Sequence, residues 1–279
     1  MRTHTAFKTE QGKIAILKFY DTQIENWNLT HETINIKTRY GDSFILACGE
    51  KNAPPLILLH GSGINSCMWF EDAKVYSEIY RVYAVDIPGE AGKSNEYQMP
   101  LSGSDYADWL SDIFDALAIE KASIIGISFG AWVAIKFSIS NIDRVSKLIL
   151  LSPLGIYPQK NSFLLTLFTC MIAGKSGKSR LYHKINLNPA VSQNILEYQK
   201  LIGKHFNSRT ELIPLFADQE LKRLSMPTVA FFGEKDIIIH AAKTANRLRS
   251  ILPQARINIL PSVGHTLINL ADKIIIFMD

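Results

Sequence analysis

The chain has little of what marks a specialised class of protein. Cysteine is scarce: Cys48, Cys67 and Cys170 are odd in number and scattered. That pattern offers neither a disulfide framework nor metal-ligand spacing, and the thiols read as buried and inert. An excess of one charge is also missing. Thirty Lys and Arg stand against 26 Asp and Glu, a net +4. Without a Lys/Arg block or a basic amphipathic arm, nucleic acid is excluded as the expected partner. No apolar run is long enough to cross a bilayer; the longest, 163–173, is roughly half a spanning helix. Residues 1–18 are polar and hold no apolar signal core, so a soluble, cytoplasmic protein without membrane contact is expected. There is no internal repeat and no low-complexity tract.

What the chain does have is apolar side chains, 47% of its 279 residues, enough for a sizeable core. Apolar positions in 11–26 predict a helical lead-in. Alternation at 33–38 and 43–48, around Tyr40-Gly41-Asp42, predicts a hairpin. Four short apolar runs follow, 56–59, 81–86, 124–127 and 147–151, and they read as strands buried on both faces of a parallel sheet. Helical patterns at 66–78, 105–117 and 131–139 separate them. Strand and helix resume at 227–233, 240–251 and 256–260, and a short helix closes the tail. Such alternation predicts an α/β domain with helices on both faces of a mostly parallel sheet. Residues 156–223 break the pattern. They are helix-like, without a buried strand, and carry ten Lys/Arg against four Asp/Glu, a net +6. They read as an insertion, with a solvated basic face.

Ligands of an open parallel sheet bind beyond the carboxyl ends of its strands. The residues predicted there are His60-Gly61-Ser62-Gly63, the loop 86–94, Ser128, Gly233-Glu234-Lys235-Asp236 and Gly264-His265. Gly126-Ile127-Ser128-Phe129-Gly130 is a G-x-S-x-G pentapeptide between an apolar strand and a helix, the order a nucleophile elbow needs. A serine hydroxyl is not ionised near neutrality and needs a base, and the base needs an orienting carboxylate. Serine, acid and histidine each follow a strand of their own. Two Gly-Lys-Ser strings, 92–94 and 177–179, are not phosphate loops. The glycine required five residues earlier is Ile87 in one and Ile172 in the other.

These pieces together resemble the α/β-hydrolase fold of serine esterases, over residues 33–153 and 227–279. The resemblance implies a core of 33–155 and 224–279, a helical cap insertion at 156–223 between the sixth and seventh strands, and an N-terminal helical extension at 1–32. It implies Ser128 as nucleophile, His265 as base and Asp236 as acid, with Glu234 the competing carboxylate. The oxyanion hole falls to the N–H groups of Phe129 and Ser62. His60, Gly61 and Gly63 on the loop, with Phe163, Leu167 and Phe168 of the cap, are the expected pocket residues. His60 also reads as the support of the oxyanion loop, and Asp86 as a hydrogen-bonding partner of its own loop. The implied activity is a carboxylesterase acting on small or medium acyl esters, with a small-molecule acyl substrate as partner and no metal or cofactor. A lactonase, amidase, carbon–carbon hydrolase, acyltransferase or hydroxynitrile lyase shares the triad. A non-catalytic small-molecule receptor is the reading from a different class. The sequence leaves substrate and oligomeric state open.

Overall fold

The computed structural model describes residues 5–172, 174–188 and 191–278. The predicted lead-in helix is α1 (Glu10–Glu25), capped by Thr9, whose side chain accepts the Gly12 N–H. Strands β1 (His31–Thr38) and β2 (Gly41–Cys48) form the expected hairpin, with Thr38 opposite Gly41. Then come β3 (Pro55–Leu59), α2 (Phe70–Tyr76), β4 (Arg81–Val85), α3 (Asp105–Ala116), β5 (Ala122–Ile127), α4 (Phe129–Ser140) and β6 (Val145–Leu151). The helix expected over 66–78 begins instead as a 3-10 turn, Ser66–Trp69. Its first N–H groups are drawn to side chains: Ser66 N–H to Asp86 Oδ1 at 2.9 Å and Cys67 N–H to Asn65 Oδ1 at 3.2 Å.

Between β6 and the next strand lie four helices among the described residues: α5 (Asn161–Ile172), α6 (Gly174–Ile185), α7 (Gln193–His205) and α8 (Asp218–Leu221). The chain then returns to β7 (Thr228–Gly233), α9 (Ala241–Ile251), β8 (Arg256–Leu260) and α10 (Ala271–Met278). The eight strands form one sheet in the order β1-β2-β4-β3-β5-β6-β7-β8. Pairing is antiparallel from β1 to β4 and parallel beyond. No helix among the described residues is long and apolar enough to cross a membrane.

Successive side chains of a strand face opposite ways, and the apolar runs therefore fill two cores. Ile57, Leu59, Ile124, Leu148, Leu150 and Phe232 pack with Leu110 and Phe114 of α3, Phe137 of α4 and Leu248 of α9. Leu56, Leu58, Ile125, Ile127, Leu151 and Phe231 pack with Trp69, Tyr76, Ile274 and the α1 residues Ile16, Tyr20 and Ile24. The α1 helix is thus part of a core. Tyr20 is fully buried and donates its hydroxyl to Asp86 Oδ1 at 3.1 Å, and Phe19 stacks on Tyr198 of α7 with ring centroids 4.6 Å apart.

Candidate active site

The chain leaves β5 and enters α4 through Ser128 alone, at φ +54° and ψ −112°. A non-glycine residue at positive φ is strained, and such strain collects at functional sites. The turn closes only because its flanks lack side chains. A Cβ on Gly126 would stand 2.5 Å from the Gly130 carbonyl oxygen, and one on Gly130 would stand 2.3 Å from that of Leu59. The result is a half-buried serine at the amino end of α4, where the helix's free N–H groups and dipole favour negative charge.

Beyond the carboxyl ends of β7 and β8 the chain brings an acid and a histidine to this serine. His265 Nδ1 lies 2.6 Å from Asp236 Oδ2, and its Nε2 lies 2.8 Å from Ser128 Oγ. An ionised carboxylate only accepts, so Nδ1 carries the ring proton and Nε2 is left to accept from the serine hydroxyl. Asp236 is fully buried. Its Oδ1 accepts the N–H groups of Ile238 and Ile239 at 2.7 and 3.0 Å, and Lys160 Nζ donates to its carbonyl at 2.5 Å. Burial pushes the carboxyl up. The charge and hydrogen bond of His265, with the two N–H groups, outweigh that and hold it below the ordinary value. The competing Glu234 turns outward, where its Oε2 accepts the Ser262 N–H at 3.1 Å.

Opposite the elbow, the loop after β3 places Gly61 beside the serine; a Cβ there would lie 3.6 Å from that of Ser128. Among the described residues, neither the Ser62 nor the Phe129 N–H has an intramolecular acceptor. His60 opens this loop. It is fully buried, its Nε2 accepts the Ile87 N–H at 2.9 Å, and its Nδ1–H donates to Gly61 O at 2.7 Å. Burial keeps this ring neutral by lowering its pKa, against the opposing effects of Asp86 and the Gly61 bond. It props the loop from behind. Asp86 likewise serves its loop, accepting from Tyr20, Ser66 and the Lys93 N–H.

Of the expected cap residues, Phe163 is half-buried and packs against the core of α3 and α4. The side chains of Leu167 and Phe168 lie outside the described residues. Sequence reasoning passed over two groups near the oxyanion loop. Glu90 is 2% exposed, and the Arg209 side chain is 4% exposed. The only signal for Glu90 was a carboxylate inside the glycine-rich string 86–94.

Residues 56–273 match the family model described as the alpha/beta hydrolase family. A carboxylesterase of Bacillus subtilis, YbfK, is 28% identical over 268 residues, covering 94% of this chain and 90% of that protein. The crystal structure of that carboxylesterase superposes with a TM-score of 0.86 at 26% identity, over 96% of this chain and 98% of the other. Naproxen esterase, also of Bacillus subtilis, gives a TM-score of 0.87 at 26% identity, over 98% and 100%.

Proposed function

This chain belongs to the alpha/beta hydrolase family, and on that premise we propose that it is a carboxylic ester hydrolase. In this reading it cleaves small or medium acyl esters through a covalent acyl-enzyme. The observation that carries the reading is the unbroken relay from Asp236 through His265 to Ser128, at 2.6 and 2.8 Å. Carboxylesterase relatives that match almost end to end support it.

Ser128 Oγ attacks the ester carbonyl while His265 Nε2 takes its proton. Asp236 fixes the ring tautomer and stabilises the imidazolium that forms. The carbonyl oxygen, now negative, is received by the N–H groups of Ser62 and Phe129. Collapse of the tetrahedral intermediate expels the alcohol, which leaves with the proton from His265. Water, activated by the same histidine, then releases the acid. Residues 156–223 act as the cap over a core of 33–155 and 224–279, and the expected partner is a small acyl ester.

An organophosphonate probe tests the reading, because it is trapped at an exposed and activated serine. One adduct per chain is expected, mapped by peptide mass spectrometry to Ser128. It should be absent in Ser128→Ala and strongly slowed in His265→Ala, with p-nitrophenyl acetate hydrolysis lost in parallel. A folded wild-type protein that takes up no probe would overturn the reading in favour of a receptor.

A further inference from the structure

The turn that carries one proposed oxyanion donor is held from behind by a carboxyl group with no part in the hydrolytic cycle. Glu90, on the loop after β4, accepts the Gly63 N–H at 2.7 Å through Oε2. Ser62 Oγ donates to its two oxygens at 3.1 and 3.2 Å. The Ser62 hydroxyl is thereby committed to Glu90, and only its N–H is left to face an oxyanion.

The charged group that faces Glu90 comes from the segment after α7. Arg209 donates through Nη2 to Met99 O and to Tyr106 Oη, both at 2.9 Å, and through Nη1 to Glu211 at 2.8 Å. Its guanidinium lies over the Phe129 ring, 5.8 Å from the centroid. Phe129 is the residue that carries the second proposed donor. Ser208, next to Arg209, abuts Gly63, its Oγ 3.0 Å from where a Cβ would stand. Tyr106 of α3 is the other titratable group nearby, and burial pushes its hydroxyl up. Asp86, on the same loop as Glu90, is taken up by Tyr20, Ser66 and Lys93.

We propose that Glu90 is a positioning residue for the oxyanion hole: as a carboxylate it fixes the Ser62–Gly63 turn and so aims the Ser62 N–H. The proposal rests on the serine esterase reading above. Its chemistry follows from counting donors. The loop presents an N–H and an O–H, and an ionised carboxylate supplies two acceptors and no proton. A protonated acid surrenders one acceptor for a donor and leaves the turn less tightly held. Burial pushes Glu90 up to about 7, against the Gly63 and Ser62 bonds and the Arg209 charge. The change of charge therefore falls near neutral pH.

The test is steady-state hydrolysis of p-nitrophenyl acetate from pH 5 to 9 by wild type, Glu90→Gln and Glu90→Asp, with folding checked by circular dichroism. Protonation of Glu90 adds its own loss of about 10- to 100-fold to the acid limb of the wild type, so log kcat/KM should fall more steeply from pH 8 to 6 in the wild type than in Glu90→Gln. In Glu90→Gln that added loss should be missing, and the two enzymes should converge at low pH. The kcat of Glu90→Gln near pH 8 should fall about 10- to 100-fold, short of the full loss of an oxyanion donor, with KM within about twofold. Glu90→Asp should restore the steeper limb. A Glu90→Gln enzyme with near wild-type kcat and an unchanged slope overturns the proposal, as does an effect on KM alone. Should Glu90→Gln not fold, Glu90→Ala and Ser62→Ala take its place, and a kcat within about twofold of wild type in both overturns it. A wild type that neither turns over ester nor takes the phosphonate probe overturns the esterase reading itself, whereas an active wild type with an indifferent Glu90 overturns this inference alone.

Discussion

Glu90 bears on stability as well as on the site. Its carboxyl titrates near 7 in the folded chain, against an ordinary value of 4.5. The folded state therefore holds a proton that the unfolded state has released. Stability falls as pH rises from 4.5 through 7, and the full penalty stands above that. The gap is worth roughly 3 kcal/mol. Glu90→Gln has no such titration, so its stability relative to wild type should climb by about that amount between pH 4 and 8, measured by urea unfolding. Parallel curves for the two proteins would show that Glu90 is not buried as described. Ser128, Asp236 and His265 were legible because each stands just after a run of strand-forming residues, where sheet topology gathers side chains from distant parts of the chain. Glu90 was not legible. Its burial depends on Arg209 and the Ser62–Gly63 turn, and nothing in the string 86–94 announces either.

At the scale of the element, strand and helix positions were readable because burial imposes period two or none on strands and a longer period on helices. β8 runs over the predicted 256–260. α1, Glu10–Glu25, lies one residue from the prediction at each end. Its standing was not readable. The minimal fold does without such a helix, yet Ile16, Tyr20 and Ile24 are buried in a core shared with β3 and β4. Periodicity reports an apolar face without saying what covers it. Tyr20→Ala should cost about 3–5 kcal/mol, as for other large aromatic truncations, since it empties a fully buried site and takes a donor from Asp86. Chemical unfolding would measure it, and a loss under 1 kcal/mol would mean that α1 is held loosely.

For the whole molecule, the proposed cap is α5 to α8, which no motif in the sequence describes. If α5 roofs the acyl site, Leu167→Asp should raise KM for hexanoate esters more than for acetate. Each buried methylene contributes about 0.8 kcal/mol, and equal effects on both esters would place the helix elsewhere. Of these helices, α7 is fastened to the amino-terminal segment. Phe7 meets Phe206 edge to face at 5.1 Å, the Lys8 N–H donates to His205 O at 2.9 Å, and the Tyr198 hydroxyl reaches Ile16 O across 182 residues of sequence. That last separation sets an order of events during synthesis. At 5–20 residues per second, α1 leaves the ribosome roughly ten to forty seconds before α7 exists to meet it. During that interval the cover for Ile16, Tyr20 and Ile24 is the part of their core that precedes α7 in the chain: β2 with Phe44, β3, β4 and the turn at Trp69. The nascent chain therefore completes the seat of Arg209 and Ser208, and with it the backing of the Ser62–Gly63 turn, late in its translation.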